Sequence, residues 1–169
     1  MKKTINTLQD ALAYQLQGLL YTEEKVKAEF ETCSQQVSSS ELRDEMSQYV
    51  GSVDNKLQKL NRIFNYLMQD PTSRKNEIIA RMIDETHHLL GFTSSAQLKD
   101  ILTVSCIQNI NAYKTASYRT AYLLAVELEL DTAADLIQQI LEWELGTGKR
   151  LASLSIHEFN KLNRSVKTK

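Results

Sequence analysis

The chain has 169 residues, a mass of 19.3 kDa and a formal net charge of −1, a length that suits one domain. With 42% hydrophobic and 24% charged residues it is not a disordered composition, and one proline with five glycines leaves too few turn residues for an all-β sandwich or barrel. The near-zero charge provides no global field for nucleic acid or an anionic membrane, and the longest apolar run, 121–126, is far too short to span one.

Two cysteines, Cys33 and Cys106, form neither a disulfide framework nor a zinc-finger spacing, and they suit a reducing cytosol. Lys2 and Lys3 precede Asp10, Gln15 and Gln17, which break any apolar signal-peptide core. A cytoplasmic location is the expectation.

In chain order, Thr7 with Asp10 three residues on predicts a helix start, and no strong breaker other than Gly18 follows until about Gln36. Ser38-x-x-Glu41 is a capping-box pattern opening a second helix, which should stop before Asp70-Pro71. A shorter third helix is expected from about Arg74 to Leu90, closed by Gly91. Ser94 or Ser95 can cap a fourth that reaches about Leu128, and Asp131 a fifth that extends into the 150s. Residues 1–160 then form one helical domain, and 161–169, with Lys161, Arg164, Lys167 and Lys169, a basic frayed tail.

Apolar residues recur at spacings of three and four. Leu8, Leu12, Leu16, Leu19, Val26 and Phe30 share one face of the first helix. Leu42, Met46, Tyr49, Val50, Val53, Leu57, Leu60, Phe64 and Leu67 do so on the second, and Ala133, Ile137, Ile140, Leu141 and Leu151 on the fifth. These long amphipathic segments predict an all-α antiparallel four-helix bundle, with the third helix inside a crossover. The fourth helix is apolar on two sides. Leu98, Leu102, Cys106, Tyr113, Ala116, Leu123 and Leu124 form one, and Ile107, Ile110, Tyr118, Ala121 and Tyr122 the other. The second stripe needs cover, from the crossover or from a second subunit. Tyr14 and Tyr21 flank Gly18 on the first helix, where a glycine permits close approach. A homodimer with Tyr14, Tyr21, Tyr118 and Tyr122 at its interface is therefore expected.

Two carboxylates stand where leucines would fit. Glu23 lies between Leu19, Val26 and Phe30, and Glu144 between Ile140, Leu141 and Leu151. A carboxylate on a core stripe is costly unless it is paired or bound to a metal, so the two point to one shared internal site. A di-metal bundle of the carboxylate type needs one Glu from each of two helices and a Glu-x-x-His from each of the other two. In the one such motif, Glu85 to His88, the histidine points away from its helix's apolar face and the glutamate lies at its edge, and His157 reads as surface.

Over about residues 6–155 the chain resembles the YciE/YciF-like family of bacterial ferritin-like proteins, a stress-associated family of unknown function. The residues that carry the resemblance are Leu8-Gln9-Asp10-Ala11-Leu12, Leu19-Leu20-Tyr21-Thr22-Glu23-Glu24-Lys25, Glu41-Leu42, Leu60-Asn61-Arg62-Ile63-Phe64, Tyr113-Lys114-Thr115-Ala116-Ser117-Tyr118, Ala133-Ala134-Asp135-Leu136-Ile137 and Ile140-Leu141-Glu142-Trp143-Glu144. The resemblance implies a ferritin-like bundle and matches Glu23 and Glu144 to metal-ligand positions. It also implies a histidine where this chain has Tyr49, another near Lys56, and a Glu-His-Tyr-Glu stretch where it has Asn111-Ala112-Tyr113-Lys114. About six ligands are needed and two are present, so the site reads as degenerate, with no cofactor expected.

The expected function is structural or partner-binding, with no nucleic-acid or membrane role. The alternative is an iron- or manganese-binding oxidase, peroxidase or iron-handling protein. Without a metal, Lys56 is the leading counter-ion for Glu23 and Glu144, reaching inward on a buried stem, and Tyr49 a hydrogen-bond donor. Lys114 ranks second, because it sits on the other side of the fourth helix from the face read as core.

Overall fold

The computed structural model describes residues 4–167, so Lys2, Lys3 and Lys169 lie outside the described residues. Among the described residues there are five helices and no strand. They are α1 (Leu8–Cys33), α2 (Ser40–Tyr66), α3 (Glu77–Gly91), α4 (Ala96–Glu127) and α5 (Asp131–Lys167).

The helix ends follow their capping chemistry. Thr7 and Asp10 form a reciprocal capping box that opens α1. At α2 the cap is Ser39, not Ser38: its hydroxyl accepts from Leu42 N and donates to Glu158 at 2.6 Å. Ser38 is engaged elsewhere, by the buried Asp100, whose carboxylate accepts from Ser38 N, Ser39 N and the Ser38 hydroxyl. The α1–α2 turn is thereby fastened to the start of α4 and to the far end of α5. The third helix begins three residues later than the sequence predicts, because Asn76 caps it and Arg74 belongs to the crossover, donating its N–H to Gln17 O. α5 continues as helix through Lys167, where a frayed tail was expected, and Lys161 bonds Glu41 on α2 and Glu158 one turn back.

The long helices form a ring in which α1 touches α2, α2 touches α5, α5 touches α4 and α4 touches α1. Contacts at both ends fix the directions. Ser38 meets Asp100 while Gln15 meets Ser117, so α4 runs opposite to α1. Lys59 meets Gln139 while Glu45 meets Arg150, so α5 runs opposite to α2. Every neighbouring pair in the ring is antiparallel, and α3 rides outside on α4 and α1 as part of the crossover.

The core has two apolar parts. One gathers Leu12, Leu16, Leu60, Phe64, Ala121, Ile137 and Ile140, and the other Phe30, Met46, Val53, Ile79, Val104, Ile107 and Leu151. Between them lies a buried polar layer.

The two sides of α4 are reversed from the sequence reading. Ile107, Ile110, Tyr118 and Ala121 face the bundle core and are buried by the chain's own helices, whereas Leu98, Ala116 and Leu123 are exposed. Tyr118 is fully buried and is not an interface residue. Tyr21 and Tyr122 are half-buried and Tyr14 is exposed. The close approach that Gly18 permits is made within the chain: a Cβ there would stand 2.6 Å from Arg74 Nη2, and the Arg74 guanidinium lies 3.6 Å from the Tyr14 ring centre. Of the stripe that needs cover from the crossover or from a second subunit, all but the half-buried Tyr122 is thus buried within the chain.

Candidate functional site: a buried charge cluster

The polar layer is built from one to three residues on each long helix. α1 supplies Glu23, α2 supplies Tyr49 and Lys56, α4 supplies Asn111, Lys114 and Tyr118, and α5 supplies Glu144. Glu23, Lys56, Lys114, Tyr118 and Glu144 are completely shielded from solvent. Each reaches the axis for the same reason: it occupies a core-facing step of its helix, as with Ile107, Asn111, Lys114, Tyr118 and Ala121 on α4.

Lys114 is the hub. Its ammonium lies 2.8 Å from Glu23 Oε1 and 2.9 Å from Glu144 Oε1, and it donates to the Tyr49 hydroxyl. Lys56 lies 2.5 Å from Glu144 Oε1, and both ammoniums rest on the Tyr49 ring, 4.5 and 4.6 Å from its centre. Tyr118 donates to Glu23 Oε1 at 2.7 Å, and Asn111 Nδ2 to Glu144 Oε2 at 2.9 Å and to the Glu144 carbonyl at 3.1 Å. Two carboxylates and two ammoniums balance, and all four carboxylate oxygens accept a hydrogen bond.

The electrostatics follow from burial and from this pairing. Burial opposes the charged form of Lys114, but Glu144 and Glu23 outweigh it and raise its pKa well above the ordinary lysine value. For Lys56, burial and the neighbouring Lys114 charge outweigh the carboxylates and lower its pKa. Burial pushes the Glu144 carboxyl up, yet Lys114 and Lys56 hold it below the ordinary carboxylate range. Burial, then the nearby carboxylates, push the Tyr49 and Tyr118 hydroxyls well above theirs.

The structure brings together Glu23, Glu144, Lys56 and Tyr49, reverses the order of the two lysines, and corrects the role of Tyr49, whose hydroxyl accepts from Lys114 where a donor to the carboxylates is expected from the sequence. Lys114 bridges both carboxylates, while Lys56 bonds only Glu144. The order differs because α4 is apolar on both sides, and the side richer in large apolar residues is not the one that faces the core. Asn111 and Tyr118 were missed as members of the site for the same reason. Their regular spacing with Ile107, Lys114 and Ala121 is the signal that could have placed them.

The donor set does not suit a di-metal centre. Only two carboxylates are present, their oxygens are already bonded, and the positions matched to further ligands hold Tyr49, Lys56, Asn111 and Lys114. The Glu85-x-x-His88 pair is exposed, with His88 edge-on to Phe92, and the exposed His157 lies 3.6 Å from Glu41. Among the described residues, groups of three or more metal-type donors occur away from Glu23 and Glu144, at Glu29, Cys33 and His87 and at Glu41, His157 and Glu158.

An antiparallel helical bundle with a crossover helix and a charge cluster at mid-height defines the class of protein. The chain belongs to the family described as a domain of unknown function (DUF892), whose model matches residues 7–162. It is 22% identical to protein YciF of Escherichia coli K12 over 165 residues, covering 93% of this chain and 95% of that protein. The crystal structure of the E. coli stress protein YciF superposes with a TM-score of 0.88 at 20% identity, covering 93% of this chain and 99% of that one. YcfI of Rhodopseudomonas palustris, described as a candidate structural protein, superposes with a TM-score of 0.87 at 21% identity, covering 90% and 97%. These structural likenesses extend to the fold, which is that of YciF-like helical bundles. No helix among the described residues is long and apolar enough to cross a membrane.

Proposed function

We propose that this chain is a ferritin-like bundle in which lysine ammoniums stand in place of a di-metal centre, and that it serves a stress-related structural or partner-binding role in the cytoplasm. The observation that carries this reading is the Lys114 ammonium, held between Glu23 at 2.8 Å and Glu144 at 2.9 Å with no solvent access. A bridging cation is what two facing carboxylates in a bundle core require, and here a side chain provides it. Positive charge fixed covalently at that point offers neither open coordination positions nor redox chemistry. The names borne by the E. coli and Rhodopseudomonas relatives agree with a stress-linked, structural role. Self-association as a homodimer belongs to the same proposal, and sedimentation of the wild-type chain at micromolar concentration tests it, a monomer ruling it out.

The test of the metal-free core is metal analysis of tag-free protein together with a ferrous-iron oxidation assay. The reading expects no stoichiometric iron or manganese and no oxidation above background. Stoichiometric iron or manganese that is lost in Glu23→Gln with Glu144→Gln would establish the metal-dependent alternative, an oxidase, peroxidase or iron-handling protein.

A further inference from the structure

Away from the central cluster, the last turn of α1 and the second half of α3 bring three different metal-type donors together. Glu29 and Cys33 are four residues apart on one face of α1, and His87 approaches from α3. One donor atom from each lies within 4.8 Å of the others. We propose that Glu29, Cys33 and His87 form a zinc(II) site that fastens the crossover helix α3 to the end of α1.

Carboxylate, thiolate and imidazole are the three ligand types that zinc takes, and a tetrahedral ion with ordinary bond lengths sets its ligand atoms about 3.3–3.8 Å apart. To reach that range the Oε2–Nε2 pair, 2.9 Å apart, opens by about 0.4 Å, and the wider separations, none above 4.8 Å, close by up to about 1 Å. The carboxylate is already oriented. Lys25 holds Glu29 Oε1 at 2.8 Å, which leaves Oε2 aimed at His87 Nε2, 2.9 Å away. The ion takes the place between Oε2 and Nε2.

The inner wall is largely apolar: Phe30, Met46, Ile83 and Ile107, with the second thiol Cys106 outside the donor group, line a cavity of about 30 Å³ that all three donors touch. The outer side is open, because half of the His87 side chain is exposed, so the fourth ligand is water. Zinc takes the thiolate, so binding displaces the Cys33 proton.

The second group is a poorer candidate. Glu41 and Glu158 are both bonded to Lys161, Glu158 also accepts from Ser39, and no thiolate is present. The site at Glu29 does not depend on the reading of the central cluster. Glu23 is six residues away along α1, about 9 Å, and shares no ligand with it.

Cobalt(II), which reports thiolate coordination by its near-ultraviolet charge-transfer band, is the probe. Titrated into tag-free, reduced protein it should give that band, saturating at one equivalent, and zinc should abolish the band by displacement. Cys33→Ser should remove the band and His87→Ala, at an exposed position that leaves the fold intact, should remove saturable binding. Cys106→Ser should change neither. A wild-type chain that shows no thiolate band, or a band that survives Cys33→Ser or disappears with Cys106→Ser, overturns the site.

Discussion

Glu23 on α1 and Lys114 on α4 are 91 residues apart in the chain, yet their charged groups meet at 2.8 Å with both side chains shut off from water. The pair spans the bundle at the layer where its two apolar cores are separated. A buried ion pair of this kind gives modest net stability, because desolvation offsets most of the attraction. Its stronger effect is on uniqueness: any sliding of α1 against α4 leaves two charges buried without partners.

Removing one charge should therefore cost more than the pair contributes. Lys114→Met leaves Glu23 with only the Tyr118 hydroxyl, and should lower unfolding stability by about 3–5 kcal/mol. Lys56→Met leaves Glu144 bonded to Lys114 and Asn111, and should cost less, about 1–3 kcal/mol. Urea unfolding of the two variants gives the order, and equal losses would mean that Lys114 is not the hub.

The pH dependence has a definite sign at each end. Glu144 sits below its ordinary value of 4.5, so the unfolded chain binds more protons in acid, and this contribution is present above pH 4.5 and lost as pH falls through the folded value. Lys114 sits above 10.5, so its contribution is complete below 10.5 and lost only as pH rises through the folded value. Lys56 sits below 10.5, so between its folded value and 10.5 the unfolded chain again binds more protons, and stability from this group rises with pH. Thermal melts from acid to alkali should show the acid loss in wild type and the absence of the Lys56 rise in Lys56→Met.

Two glycines on α5 give a matched comparison. A Cβ at Gly148 would stand 2.8 Å from Asn111 Oδ1, forcing Asn111 off its bonds to Glu144, and Gly148→Ala should cost about 1–3 kcal/mol. A Cβ at Gly146 meets only Arg150 Nη1, at 3.7 Å. Gly146→Ala should stabilise by up to about 1 kcal/mol through helix propensity. Chemical denaturation of the two single variants checks both signs.

Some of this site was legible in the sequence. Glu23 and Glu144 stand out because the apolar residues around them keep a clean helical spacing, and Lys56 follows Val53 on a helix whose outer face is plainly polar. α4 was opaque for a physical reason. Its inner face carries Thr103, Asn111, Lys114 and Ser117 among the apolar residues, while Leu98 and Leu123 lie outside. Judged by hydrophobicity alone the wrong side looks like the core. The contact of Arg74 with Gly18 was also out of reach, since it depends on where the crossover meets α1 and on no local pattern.

The central claim, that a lysine ammonium holds the place between Glu23 and Glu144, is tested most directly by nitrogen-15 NMR of the lysine side chains. The account predicts a slowly exchanging ammonium signal near neutral pH that is absent in Lys114→Met. It should stay protonated beyond the ordinary lysine range and be unmoved when iron is added to the Cys33→Ser chain. A Lys114 signal that titrates at or below the ordinary lysine value, or that is displaced by stoichiometric iron, would contradict it.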